Sequence, residues 1–372
     1  MQGNTRSVPF FNYPYVYKSH GKELLAALAD VGSRGAFILQ QDVVEFEENL
    51  KKLTGAKHAI GVANGTDALI IALRGVPLNP GDEVIFASHT FIATAAAIHF
   101  AGGIPVPVDC GPDHMIDPES VAKAVTSKTR VIMPTQLNGR TADMDRLQEI
   151  AKKHDLLIVE DAAQGLGSKF RGKCAGTFGI AGTISFYPAK NLGSLGDAGA
   201  ILTNDDEIYD RMIPLHDHGR DTHGEISMWG LNSRLDNLQA AFLNIKIKNY
   251  DRIVIRRRHL AGLYQEYLGR VRQLALPPAP GSEPAHFDVY QNYEIEAERR
   301  DELKEYLKKN GIGTLIQWGG KAVHQFEKLG LRKSLPYTEK MFKRCLMLPM
   351  NNSLVDDDVK YVCDRICEYY RR

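Results

Sequence analysis

Three short segments carry residue types that could do chemistry, and each follows an apolar run. Asp161 ends the run LLIVED (156–161), so we expect it at the carboxyl end of a buried strand, where open α/β sheets place their ligands. Lys190 stands in the loop of SFYPAKNLGSLGDAGAILT (185–203), between two strand patterns. In NGTDAL (64–69) a strand pattern gives way to a helix pattern. The first N–H groups of a helix suit a phosphate, because they lack partners within the helix.

Each segment also has an ordinary explanation when it is taken alone. Thr66 and Asp67 are frequent helix caps, and Asp161 suits a cap or a salt bridge. A single lysine is usually a surface residue. Together, however, the segments provide the three contacts that pyridoxal phosphate requires. Lys190 would form the Schiff base, Asp161 would keep the pyridine nitrogen protonated, and the helix start at Thr66 would bind the phosphate.

Strand and helix patterns alternate along much of the chain. Strand patterns occupy 58–63, 82–88, 104–110, 130–135 and 156–161, and helix patterns occupy 21–54, 66–75 and 93–102. This alternation predicts an α/β fold with a mainly parallel central sheet. We expect a large cofactor-binding domain at residues 1–250, which includes an N-terminal helical segment, and a smaller α+β domain at residues 251–372. A long basic helix is predicted from about Asn237 to Tyr267.

Composition argues against several kinds of partner. The 372 residues carry a net charge of +1, which gives no electrostatic basis for binding nucleic acid or an acidic membrane. No stretch approaches the ~18 apolar residues of a membrane span, and the first residues lack an apolar signal core, so a cytoplasmic protein is predicted. No metal site is predicted. Cys363 and Cys367 lie four residues apart, but no second Cys/His pair at zinc spacing accompanies them.

Longer motifs carry a family resemblance. The most specific is VEDAAQGLGS (159–168) followed by SFYPAKNLGSLGDAGAILT (185–203), and GVANGTDAL, SHTFIATAAAI and GLNSRLDNLQAA add to it. Over nearly its whole length the chain resembles the sugar aminotransferases of the DegT/DnrJ/EryC1/StrS family, within the fold-type I pyridoxal phosphate enzymes. Some members of that family have histidine at the lysine position and dehydrate a sugar instead. The presence of Lys190 therefore argues for transamination.

The resemblance implies roles for individual residues. Lys190 and Asp161 would be the catalytic residues, and both would also contact the cofactor. The other implied cofactor contacts are Gly65, Thr66, Asp67, Phe91, Gln164, Ser185 and Asn232, and the implied substrate contacts are Arg220, Tyr290, Trp318 and His324. Phe91 would stack on the cofactor ring, and Gln164 would approach the ring hydroxyl.

The segment GLNSR (230–234) has a further implication. By the resemblance, Asn232 would reach the phosphate of the other subunit's cofactor, while Arg234 would brace the loop or meet a substrate carboxylate or phosphate. The predicted assembly is therefore a homodimer with composite active sites.

The predicted reaction transfers an amino group from L-glutamate to a nucleotide-linked keto-sugar, with a 3-keto hexose on dTDP or UDP favoured. Two segments that usually lie near the sugar nucleotide depart from the family pattern. QLNGR (136–140) has Asn138 in place of an aromatic residue, and QWGGKAVHQF (317–326) replaces a pattern containing tyrosine and proline. The alternatives are a 4-keto hexose aminotransferase, a cyclitol (inosose) aminotransferase, and a pyridoxal phosphate-binding regulator without turnover.

Overall fold

The computed structural model describes residues 6–371. The helices are α1 (Tyr13–Arg34), α2 (Gln41–Thr54), α3 (Gly65–Gly75), α4 (Ile92–Phe100), α5 (Pro118–Ala124), α6 (Met144–His154), α7 (Asp206–His216), α8 (Asn237–Ile247), α9 (Tyr250–Leu268), α10 (Arg300–Lys309), α11 (Pro336–Phe342) and α12 (Asp356–Arg371). The strands are β1 (His58–Val62), β2 (Glu83–Ala87), β3 (Ile104–Val108), β4 (Thr129–Met133), β5 (Leu157–Asp161), β6 (Lys169–Phe170), β7 (Lys173–Cys174), β8 (Ala181–Ser185), β9 (Gly199–Thr203), β10 (Leu274–Ala275), β11 (His286–Phe287), β12 (Tyr293–Ala297) and β13 (Cys345–Leu348). Within residues 6–371, no helix combines the length and the apolar character needed to cross a bilayer.

The central sheet has seven strands in the order β1-β9-β8-β5-β4-β2-β3. The strands from β8 to β3 are parallel, whereas β9 is antiparallel to both of its neighbours. The mainly parallel α/β sheet predicted from the sequence is therefore confirmed. Because β2, β4, β5 and β8 run in one direction, the residues that follow them meet at a single edge of the sheet.

Helices cover both faces of this sheet, because neighbouring side chains on a strand point to opposite faces. On β9, Ile201 packs into a core shared with α3, α4 and α7, whereas Ala200 and Leu202 pack into a core shared with α2 and α8. Helices α5 and α6 enclose a further core over β2, β3 and β4. Burial on both faces explains why the strands have nearly continuous apolar sequences.

A smaller core surrounds the antiparallel sheet β10-β12-β13 and the helices α9, α10 and α12. Helix α9 contributes to both cores: Tyr250 packs against the large one, and Leu260 and Tyr264 pack inside the small one. Val8 also packs in the small core, and its N–H group donates to the Gly311 carbonyl at 2.9 Å. The predicted domain boundary stays a prediction, since α9 and this N-terminal segment both extend across it.

The prediction of one long helix from Asn237 to Tyr267 is wrong, because the structure has two helices there, α8 and α9. Asn249 interrupts the helix, with φ −119° and ψ 20°. Asparagine is a poor residue for a helix interior because its side chain competes for backbone hydrogen bonds. The division lets α8 cover the sheet while α9 runs toward the small core.

Candidate active site

A cavity of about 740 Å³ lies at the carboxyl edge of the central sheet. Such a volume is typical of a site for a small organic ligand. Of the residues predicted to do chemistry, the cavity brings together Gly65, Thr66, Asp67, Phe91, Asp161, Gln164, Ser185, Lys190 and Trp318. These residues come from five separate segments of the chain. The parallel strands bring four of these segments together, because each of the four follows a strand or begins a helix at the same edge, whereas Trp318 comes from the segment after α10.

Asp161 is the last residue of β5 and is buried at the floor of the cavity. Its Oδ2 accepts a hydrogen bond from the Thr94 hydroxyl at 2.6 Å, and its Oδ1 accepts one from the Ala163 N–H group at 3.2 Å. Burial raises the pKa of Asp161, while these two hydrogen bonds and the charge of Lys190 oppose the rise. A buried carboxylate of this kind is stabilised by a cationic partner in the cavity.

Lys190 lies in the loop between β8 and β9, and its side chain lines the same cavity. Burial lowers the pKa of Lys190 to about 8, and the Asp161 carboxylate opposes this effect. Gln291, from the segment before β12, fixes the loop on both sides of the lysine. It accepts a hydrogen bond from the Asn191 N–H group at 2.8 Å and donates one to the Ala189 carbonyl at 2.9 Å.

The first turn of α3 forms the third part of the site. The Asn64 side chain caps this helix by accepting a hydrogen bond from the Asp67 N–H group at 2.8 Å. A Cβ atom at Gly65 would lie only 2.8 Å from the Ser185 Cβ atom, so glycine lets the serine hydroxyl approach the helix start. The turn therefore offers free N–H groups with a hydroxyl beside them, which is a favourable arrangement for a phosphate.

Phe91 and Gln164 complete the walls of the cavity. Phe91 precedes α4 and has 52% of its surface exposed, so its ring is available to a ligand. Gln164 is held in place, because its Oε1 accepts hydrogen bonds from the Asn138 N–H group at 2.9 Å and from the Asn292 amide at 3.2 Å.

The model of the DegT/DnrJ/EryC1/StrS aminotransferase family matches residues 18–367. The chain belongs to this family. The match confirms the resemblance stated from the motifs, and with it the enzyme class, an aminotransferase. Enzymes of the family depend on pyridoxal phosphate.

Individual relatives match over almost their full length. A pleiotropic regulatory protein of Geobacillus stearothermophilus is 40% identical over 370 residues, which cover 98% of this chain and 99% of the relative. A dTDP-3-amino-3,4,6-trideoxy-alpha-D-glucose transaminase of Streptomyces venezuelae is 38% identical over 377 residues, which cover 100% of this chain and 98% of the relative. The crystal structure of S. venezuelae DesV in complex with a ketimine intermediate has a TM-score of 0.94 at 38% identity, covering 99% of this chain and 100% of that one. This similarity confirms the fold-type I assignment.

Two of the predicted substrate contacts lie outside the cavity of about 740 Å³. Tyr290 is buried, and its hydroxyl donates to the Pro278 carbonyl at 2.8 Å while its ring lines a neighbouring cavity of about 390 Å³. His324 is also buried, with its Nδ1 2.7 Å from the Ser88 hydroxyl. Both remain predictions as substrate contacts.

Arg220 and Asn232 also lie away from the cavity of their own chain. Arg220 is exposed and borders a groove beside α2, and Asn232 is exposed and pairs with Asp217 in an isolated β-bridge. The Arg234 guanidinium donates to the Asp217 carboxylate at 3.1 Å, so it braces this loop as predicted. The roles of Arg220 and Asn232 remain predictions, and within one chain neither residue meets Lys190.

Sequence reasoning missed three residues that orient the site: Thr94, Asn138 and Gln291. Thr94 had a weak signal, since it is a polar residue on an otherwise apolar helix face. Asn138 was noted only as a departure from the family pattern, and its backbone contact with Gln164 depends on a left-handed conformation (φ 56°). Gln291 had no local signal, because it lies a hundred residues from the loop that it fixes.

Proposed function

We propose that the protein is a pyridoxal phosphate-dependent aminotransferase that moves the amino group of L-glutamate to a nucleotide-linked keto-hexose. The main support for this proposal is that Lys190, Asp161 and the start of α3 all line one cavity. The family membership supports the reaction class. The identity of the sugar is inferred from the relatives, and that of the donor from the family resemblance.

The residues of the cavity fit the cofactor. Its phosphate would bind at the start of α3, where Thr66 and the Ser185 hydroxyl supply donors, and its ring nitrogen would pair with Asp161. The buried, partly satisfied carboxylate of Asp161 calls for such a cationic partner. Phe91 would cover one face of the ring. When bound, the cofactor supplies an electron sink for the bond broken at the donor's α-carbon.

Lys190 has a second task, which is to move protons during the reaction. Because burial lowers the pKa of Lys190 to about 8, an appreciable part of its amine is neutral near that pH. Its Nζ can therefore accept the proton from the α-carbon of glutamate and return a proton later. Gln291 keeps the loop in place while the lysine moves, because its two hydrogen bonds go to the backbone beside Lys190.

A dTDP- or UDP-linked 3-keto hexose is the proposed acceptor. The Streptomyces venezuelae relative is named for a dTDP-linked 3-amino sugar, and it matches the whole chain at 38% identity. A 4-keto hexose and a cyclitol are the alternative acceptors. A regulator without turnover is a second candidate function, because the relative at 40% identity is named as a regulatory protein.

One assay separates these possibilities. The purified protein, saturated with cofactor, is mixed with 2-oxoglutarate and one of several amino compounds: 3-amino and 4-amino hexoses on dTDP or UDP, or scyllo-inosamine. Formation of glutamate is then measured, and the proposal predicts that it forms fastest with a 3-amino sugar nucleotide. Glutamate formed only from the cyclitol would exclude the sugar-nucleotide acceptor. Visible cofactor absorption without glutamate from any compound would favour the regulator.

A homodimer with composite active sites is also proposed. Asn232 is exposed and is not among the residues that line the cavity of its own chain, as expected of a contact made across an interface. Large apolar side chains are exposed as well, including Phe37 (59%), Ile226 (66%) and Trp229 (90%). Contact with a second copy of the chain would remove this apolar surface from water, which favours a dimer.

Mixed dimers test the composite site. One subunit carries Lys190→Ala and the other Asn232→Asp, whose added negative charge should repel the phosphate. If Asn232 serves the partner's cofactor, the two-fold symmetry puts both defects in one site and leaves the other intact, so about half of the parent activity returns. If Asn232 serves its own subunit, each site has one defect and no activity returns. Native mass spectrometry confirms that the heterodimer has formed.

A further inference from the structure

Two histidines and a glutamate meet between the central sheet and the small core. His89 follows β2, His114 lies in the loop after β3, and Glu294 is in the middle of β12. One ligand atom from each of these residues lies within 4.8 Å of the other two. His89 is 1% exposed and Glu294 is 3% exposed, while the side chain of His114 is 12% exposed and faces a neighbouring cavity.

The distances from the Glu294 carboxylate to the two histidines suit a metal ion. Glu294 Oε2 is 3.0 Å from His114 Nδ1 and 3.5 Å from His89 Nε2. Neighbouring ligands on a zinc-sized ion lie roughly 3.0–3.5 Å apart, since each bond measures about 2.0–2.2 Å. Histidine and carboxylate ligands together favour a divalent transition ion over Mg²⁺ or Ca²⁺.

In each histidine, one ring nitrogen is hydrogen-bonded outside the cluster, and the other nitrogen faces the cluster and is available to a metal. His89 Nδ1 lies 3.2 Å from the His114 carbonyl, which can only accept, so Nδ1 carries the hydrogen. His114 Nε2 lies 3.4 Å from Glu296 Oε1 in the same way. Metal-bound histidines usually donate their other nitrogen to a carbonyl or a carboxylate, as these two do.

A separate observation at His89 Nε2 also indicates a bound ion. It is buried and has no hydrogen-bond partner within the part of the chain that the structure describes. It lies 3.5 Å from Glu294 Oε2, and a cation held between the two atoms would bind to both.

The surrounding charges also favour a cation. The neighbouring cavity of about 390 Å³ is lined by His114 and by the carboxylates of Asp113, Glu283, Asp288, Glu294 and Glu296, with Arg140 as the one guanidinium among its described lining residues. Arg140 is paired with Glu283 and Asp288, and Arg344 pairs with Glu296 from outside the cavity. The cavity gives an ion a path to the cluster and room for water at an open coordination position.

We propose that His89 Nε2, His114 Nδ1 and Glu294 Oε2 bind a zinc-class divalent cation. The ion joins the carboxyl end of β2 to β12 and so links the large core to the small one. It also fixes the ring of His89, which packs edge-on against Trp318 with ring centroids 5.3 Å apart. Because Trp318 lines the cofactor cavity, the ion positions one wall of the active site.

The competing explanation places protons where the metal would be. His114 would then be an imidazolium between Glu294 and Glu296, and the amides of Asn138 and Gln317 would complete the shell of Glu294. The two explanations differ in one measurable respect, which is whether the protein binds a transition metal at this place.

Metal content and affinity test the proposal. Tag-free holoenzyme is dialysed against a chelator and then titrated with Zn²⁺ by calorimetry, and the bound zinc is counted by mass spectrometry. One ion per chain is expected, together with a higher melting temperature in the presence of Zn²⁺. Substitution with Co²⁺ should produce strongly shifted histidine proton resonances in the NMR spectrum.

Three variants and a control locate the ion. His89→Gln and Glu294→Gln remove ligands and should weaken Zn²⁺ binding at least ~10-fold, and Glu296→Gln should weaken it by about 10–100-fold through the outer contact. His99→Ala, on the exposed face of α4, should bind as the parent does. Visible cofactor absorption and circular dichroism report that the variants are folded. The proposal is overturned if the parent binds no Zn²⁺, or if folded ligand variants bind it with the parent's affinity.

Discussion

The cofactor cavity and the smaller cavity beside it share Leu137 as a wall, yet the chain builds them in different ways. The first is made mostly of residues that end a strand or begin a helix, so each has a recognisable local pattern. The second is made of loops and of β12, which contributes Glu294 from the small core. A site at strand ends can be found from motifs, whereas a site between two cores depends on packing.

The two cavities also differ in how their ionisable side chains are paired. In the cofactor cavity, burial raises the pKa of Asp161 and lowers the pKa of Lys190, and shifts of this kind are common among groups that take part in catalysis. In the smaller cavity several charged groups are already paired, as Arg140 is with Asp288 at 2.8 Å. We therefore expect substitutions in the first region to abolish chemistry and substitutions in the second to alter stability and binding.

The largest effect should follow from Lys190→Ala. Without the amine, the protein loses both the covalent link to the cofactor and the group that moves protons, so turnover should fall at least ~10³-fold. The visible absorption of the lysine-bound cofactor should also disappear. Lys248→Ala, at an exposed lysine nearby, is the control and should retain both properties. Turnover near the parent rate in the Lys190 variant would contradict the assignment.

Asp161→Asn should have the next largest effect. The amide oxygen can still accept the hydrogen bond of Thr94, so the fold should be retained, but the amide cannot hold the ring nitrogen protonated. We expect a rate loss of at least ~10²-fold with visible cofactor absorption preserved, measured by single-turnover kinetics with L-glutamate. A normal rate in a fully loaded variant would remove Asp161 from the mechanism.

The pKa of Lys190 predicts a pH dependence of cofactor attachment. Burial lowers this pKa to about 8, and only the neutral amine attacks the cofactor. The neutral fraction rises roughly 10-fold between pH 7 and pH 9 for such a pKa, so attachment should accelerate by a similar factor and level off above that range. Stopped-flow absorbance of cofactor-free protein mixed with pyridoxal phosphate measures this. A rate that rises with the same slope beyond pH 10 would indicate an unshifted lysine.

The smallest effect is expected at Asn138, which belongs to the second region. Its side chain donates to Glu294 at 3.0 Å and accepts from Asn292 and Gln317 at 2.9 Å each. Loss of these contacts should lower the free energy of unfolding by about 1–3 kcal/mol and leave cofactor absorption unchanged. Asn138→Ala adds strain at φ 56°, whereas Asn138→Gly does not, so the difference between the two variants in urea unfolding isolates the backbone contribution. Loss of cofactor absorption in the glycine variant would show that the regions are not separable.

Much of the large core could be predicted because its signals are local. The run ending at Asp161 is apolar throughout, so its strand and the position of the carboxylate at the end of that strand follow from the pattern. The start of α3 follows from its pattern in the same way, but only the packing shows that Ser185 requires glycine at position 65. The helix break at Asn249 could not be predicted, because a single asparagine is often tolerated within a helix. The chain breaks there because α8 packs on the large core while α9 runs to the small one.

The sequence by itself determined the fold class and the family, and it predicted the cofactor and the two catalytic residues, Lys190 and Asp161. Each of these depends on short patterns whose physics is local: strand burial, helix starts and the ends of parallel strands. Only the tertiary structure decided that Tyr290 and His324 lie outside the cofactor cavity, and that Gln291 fixes the loop of Lys190. These outcomes depend on contacts between segments far apart in the chain, and no local pattern encodes which distant side chain will fill a given space.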